Sequence, residues 1–115
     1  MRRGEVRWVG LEAARGAEVN KRRPAVVVSN DGANTSAKRL GRGVITVAPV
    51  TSKVTRIYPF QVLLPAAATG LGTDSKAQAE QVRSIAVERV GDRIGVLTPA
   101  QMVEMDEALR LHLGL

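Results

Sequence analysis

Short apolar segments separated by turn-forming residues run along most of the chain. Glu5–Gly10 mixes polar and apolar positions and puts Val6, Trp8 and Gly10 on one parity, the pattern of a half-buried strand. Pro24–Ser29 and Gly43–Val50 are β-branched and almost wholly apolar, which reads as two central strands. Pro59–Leu64, Ala79–Ala86 and Arg93–Leu97 predict further strands. Asn30-Asp31-Gly32, Gly41, Gly70 with Gly72, and Gly91-Asp92 supply the turns between them. The period changes only at the end of the chain. Thr98-Pro99-Ala100-Gln101 is a capping box with proline at the first helical position, and Met102, Met105, Leu109 and Leu113 follow at helical spacing. Glu104, Glu107 and Arg110 fall on the solvent side, and Gly114 is placed for the cap. A shorter helical turn is predicted around Asn34–Arg39. The pattern predicts a mainly β, α+β fold: a small, strongly bent antiparallel sheet or partly open barrel with one C-terminal helix.

Composition narrows the chemistry. The 115 residues fit a single domain over 1–115, with an ordinary 44% of hydrophobic residues. Trp8, Tyr58 and Phe60 are the only aromatic residues, so an aliphatic core must carry the fold. There is no cysteine, which excludes disulfides, zinc–thiolate sites and cysteine nucleophiles. The one histidine, His112, excludes a histidine pair; in the last turn of a helix it reads as a cation complementing the helix C-terminus. No apolar run approaches the roughly 20 residues that span a bilayer, and a cytoplasmic protein is expected.

Charge adds a direction. The net charge is +6, but residues 1–60 hold 12 basic and 4 acidic side chains while residues 61–115 hold 5 and 7. A basic half fits a polyanion partner, because clustered Lys and Arg attract phosphates over several ångströms; it equally fits a solvated surface. Two segments decide where to look. The polar stretch Gly16–Arg23 runs straight into Pro24, which stiffens the first residue of an apolar strand. The strand Gly43–Val50 ends in Thr51, Ser52 and Lys53, which taken singly are as readily turn formers. If the two strands pair antiparallel, Arg23 and Thr51 share one sheet edge, within reach of one phosphate. Arginine offers a planar fork of donors for phosphate oxygens and is always charged, and a threonine hydroxyl can donate to a further oxygen. RNA brings its own nucleophile, the 2′-hydroxyl beside the scissile phosphate, so such a pair suits its cleavage without metal or histidine.

The ordered series RRGEV-W, RGAE, KRRPAVVVSND, VITVAPVTS, YPFQV, AEQVRSIA and the terminal MDEAL helix resembles the MazF/PemK toxin family over nearly the whole chain. The resemblance implies a compact barrel-like homodimer that cleaves single-stranded RNA at short specific sequences, without metal or other cofactor. It also implies neutralisation by a MazE-type antitoxin. Arg23, of the family's Arg-Pro pair, and Thr51, after the third strand, match the catalytic pair. Glu18 matches a supporting loop glutamate, or else is a loop anion paired with Lys21 or Arg22. The loop reads Gly-Ala-Glu where the family commonly reads Gly-Ser-Glu, so Ala17 removes a hydroxyl that could touch RNA. Asn20, Lys21, Ser52 and Lys53 are the further RNA-contact candidates, with Arg56 beside them for phosphate. Tyr58 is a candidate for stacking on a base, Phe60 is assigned to the core, and Gln81 matches a position near the RNA groove. Two alternatives stand beside the endoribonuclease: a non-enzymatic nucleic-acid-binding barrel, and a gyrase-targeting toxin of the same fold.

Overall fold

A computed structural model describes residues 1–11 and 22–115. Seven strands form one antiparallel sheet: β1 (Glu5–Gly10), β2 (Arg22–Val27), β3 (Val44–Thr51), β4 (Gln61–Leu64), β5 (Ser75–Gln78), β6 (Arg83–Ala86) and β7 (Val90–Val96). The order is β4-β5-β3-β2-β1-β7, with β6 beside the first half of β3, and the sheet does not close. Three helices join it: α1 (Asp31–Leu40), α2 (Ala66–Thr69) and α3 (Pro99–Leu113).

The largely apolar runs Pro24–Val27 of β2 and Val44–Val50 of β3 follow from burial on both faces. On one face Val6, Val26, Ala48 and Val50 pack with Val62, Leu64 and Leu97 beneath Met105 and Ala108 of α3. On the other, Val9, Ala25, Val27, Ile45, Val47 and Ile85 form a second cluster closed by Ala37 of α1. The expected alternation of β1 therefore takes another form. Val6 and Val9, of opposite parity, are both fully buried, and Trp8 lies beyond the edge of the first cluster, 41% exposed.

α3 forms where its capping box predicts. The Thr98 hydroxyl accepts from the Gln101 amide, the Gln101 side chain accepts from the Thr98 amide, and Gly114 ends the helix in the left-handed region at φ 73°. Its buried positions are Met105 and Ala108, with Met102 and Leu109 partly covered; Leu113, expected on the apolar stripe, is exposed beyond the end of the sheet. The predicted turn at Asn34–Arg39 is a full ten-residue helix, capped by the Asn30 side chain at its start and by Gly41 at its end.

The expected strand Ala79–Ala86 is two elements. Ala79–Gln81 is a 3₁₀ turn, and only Arg83–Ala86 is β6. The reason lies in β3, whose outer edge is shared. Val50 and Thr51 pair with β5, and Val44–Val47 pair with β6. Across Ala48 and Pro49 neither strand pairs, so the chain between β5 and β6 bulges away from the sheet there. Pro49 has no N–H to offer that ladder.

Candidate functional site

The bulge opens a groove of about 390 Å³ against the ends of β2 and β3. Arg23, Thr51, Lys53, Gln81 and Arg83 contribute its polar lining, over a floor made by Pro49 and Val50. Three of these side chains are cationic and none is a carboxylate, so the groove is built for an anion.

Backbone pairing fixes Arg23 and Thr51 from their outer sides. Val9 of β1 pairs with Arg23, and Lys76 of β5 pairs with Thr51. Between them the β2–β3 ladder runs Val27↔Val47, Val26↔Ala48, Ala25↔Pro49 and then stops. Continued by two residues, that register sets Arg23 opposite Thr51. Each is thus anchored on a rigid strand and left unpaired in the backbone toward the other, and both line the groove. The Thr51 hydroxyl oxygen accepts from the Lys53 amide at 3.3 Å, which orients it and keeps its proton available to donate.

The structure brings together four of the residues that the sequence singles out: Arg23, Thr51, Lys53 and Gln81. Ser52, between Thr51 and Lys53 in the chain, is exposed and does not line the groove. Glu18, Asn20 and Lys21 lie outside the described residues. Tyr58 is away from the groove lining. Its ring stacks parallel on Phe60, with centroids 5.3 Å apart, and the Arg56 guanidinium lies 4.7 Å from its centre. Arg56 is thus engaged with an aromatic ring outside the groove lining. Phe60 is part-exposed beside Tyr58, outside both core clusters. Sequence reasoning does not single out Gln78 or Arg83, which also line the groove. Arg83 has the parity of Gln81 and a positive charge, a signal that was there to be read; Gln78 carries none.

The chain matches the family model described as PemK-like, MazF-like toxin of type II toxin-antitoxin system over residues 2–113. It is 63% identical over its full 115 residues to endoribonuclease MazF9 of Mycobacterium tuberculosis, covering 98% of that protein. A mycobacterial endoribonuclease in complex with its cognate antitoxin shares the fold at a TM-score of 0.78 and 23% identity, over 100% of this chain and 96% of that one. The MazE–MazF crystal structure from Deinococcus radiodurans superposes at a TM-score of 0.75 with 26% identity, over 100% of this chain and 96% of that one.

Proposed function

Because the chain belongs to the PemK-like, MazF-like toxin family of type II toxin–antitoxin systems, we propose that it is an endoribonuclease toxin whose reaction centre is the Arg23–Thr51 pair. The observation that carries this reading is the register of β2 and β3, which leaves Arg23 and Thr51 facing one another, unpaired, at the end of a cationic groove.

The substrate is single-stranded RNA, whose backbone Lys53 and Arg83 attract and whose bases meet Gln81 at the groove wall. At the scissile linkage the 2′-oxygen attacks phosphorus. The O2′–P bond forms, the P–O5′ bond breaks, the 2′-hydroxyl gives up its proton and the departing 5′-oxygen gains one. The products are a 2′,3′-cyclic phosphate and a 5′-hydroxyl. Negative charge builds on the non-bridging oxygens as the fifth bond forms. The Arg23 fork and the Thr51 hydroxyl donate to those oxygens, so their stabilisation is strongest in the transition state. The nucleophile comes with the RNA and the charge is met by a guanidinium, so the chemistry calls on no metal or cofactor. Two copies of the chain form the working unit, and a MazE-type antitoxin silences it. The 63% identity to an endoribonuclease of a toxin–antitoxin family and the fold shared with antitoxin-bound relatives support this part of the reading.

A long single-stranded RNA incubated with the protein in excess EDTA tests the proposal. Discrete fragments with 2′,3′-cyclic phosphate ends are expected, and a single 2′-deoxy substitution at a mapped site abolishes cutting there. Uncut RNA, or cutting that survives the deoxy substitution, overturns the reading.

A further inference from the structure

Between β3 and β4 the chain makes a nine-residue return, 52–60, that carries Lys53 into the groove. The opposite wall is the 3₁₀ turn Ala79–Gln81, which presents Gln81. One buried side chain spans the two. Gln61, 8% exposed, accepts from the Tyr58 amide at 3.1 Å with Oε1 and donates from Nε2 to Oε2 of Glu80, the residue next to Gln81. The other carboxylate oxygen of Glu80 is buried with no hydrogen-bond partner among the described residues. Gln61 is therefore the one hydrogen-bond donor to the half-buried Glu80 carboxylate among those residues, and a charge-assisted bond of this sort is among the stronger kinds.

Two further bonds join the same walls. Lys76 donates from Nζ to the Arg56 carbonyl at 2.7 Å, and the Ala79 amide donates to the Phe60 carbonyl at 3.2 Å. Among the described residues only the Gln61–Glu80 bond ties the groove walls through two side chains, so its donor and acceptor can be exchanged by substitution. We propose that Gln61 and Glu80 form a clamp that sets the spacing of Lys53 and Gln81 across the groove, and so act as positioning residues for RNA binding and site selection. This rests on the endoribonuclease reading above.

Arg23 and Thr51 are held by the β1–β2 and β3–β5 ladders, which the clamp does not enter. Loosening the clamp therefore affects substrate binding far more than the chemical step. Gln61→Glu sets two carboxylates against each other while leaving an acceptor for Tyr58. The reversed pair, Gln61→Glu with Glu80→Gln, restores both bonds: the carboxylate introduced at position 61 accepts from the Tyr58 amide and from the new side-chain amide at position 80. Glu80→Gln alone leaves Gln61 an acceptor but removes the charge from the bond, so it loosens the clamp less than Gln61→Glu does.

Steady-state kinetics on an RNA oligonucleotide with one mapped site, a cleavage map of a long RNA and a thermal melt are run on all four proteins. For Gln61→Glu the clamp predicts a KM raised about tenfold, kcat within about threefold of wild type, and new cut sites on the long RNA. The reversed pair returns KM and the cleavage map toward wild type, and Glu80→Gln falls between wild type and Gln61→Glu. A Gln61→Glu protein that melts cooperatively with unchanged KM and map overturns the clamp, as does a reversed pair no better than Gln61→Glu. Wild-type protein that cuts no RNA is a separate result, which overturns the endoribonuclease reading itself.

Discussion

In the proposed reaction Arg23 serves as a planar fork of donors to the phosphate oxygens and not as the base. Its partner is chosen by the same logic. Thr51 is a neutral group whose oxygen is already engaged by the Lys53 amide, so its proton remains free to donate. Both side chains are positioned by backbone ladders. Glu5, at the opposite end of β1 from the Val9–Arg23 pairing, ties stability to pH. Burial pushes the Glu5 carboxyl up, but hydrogen bonds from the Arg7 side chain and the Arg2 amide, with the Arg7 charge, outweigh it and hold it below its ordinary value of 4.5. A depressed carboxyl stabilises the fold when ionised. The contribution is fully present above about pH 5 and is lost as pH falls through the lowered folded value. Urea midpoints measured from about pH 7 down to about pH 3 will fall at the acid end in the wild type, and Glu5→Gln will start lower and fall less steeply.

At the level of elements, legibility depends on how local the cause is. α3 is legible because its capping box and proline act within four residues. β2 and β3 are legible because burial on both faces leaves a largely apolar run in each. α1 reads as a single turn because its ten residues bury only Asn34 and Ala37 and carry no apolar stripe; Asn30 and Gly41, which read as turn formers, are its caps. β5, Ser-Lys-Ala-Gln, escapes a sequence reading because its polar side chains are buried by partners distant in sequence, such as the Arg56 carbonyl that receives Lys76. The 3₁₀ turn at Ala79–Gln81 is equally non-local, since it arises from β3 sharing its edge. Hence Arg23 and Thr51 can be placed from the ends of two strands, whereas Gln78 cannot. α2 and β7 meet through glycines. A methyl group on Gly95 would overlap the Thr69 carbonyl oxygen, and one on Gly70, at φ +75°, would come within 2.6 Å of the Ile94 carbonyl oxygen. Gly95→Ala should therefore cost about 1–3 kcal/mol, read as a lowered urea midpoint at constant m-value.

For the whole molecule, the net charge of +6 is less informative than its placement. Arg23, Lys53 and Arg83 converge on one groove, and among the described residues no carboxylate lines it. Each phosphate contact releases counterions, so the logarithm of the RNA affinity falls linearly with the logarithm of salt concentration. The slope is about 0.7 per contact for single strands. Lys53→Ala will reduce that slope by about 0.7, measured by fluorescence anisotropy on a 2′-deoxy-substituted RNA that cannot be cut. An unchanged slope would remove Lys53 from the phosphate contacts. The central claim, that Arg23 and Thr51 together stabilise the charge on the reacting phosphate, is tested most directly by single-turnover cleavage of a one-site RNA in excess EDTA. Each of Arg23→Ala and Thr51→Ala is predicted to slow the reaction about a hundredfold or more, with binding largely retained. Either variant cutting within about threefold of the wild-type rate would contradict it.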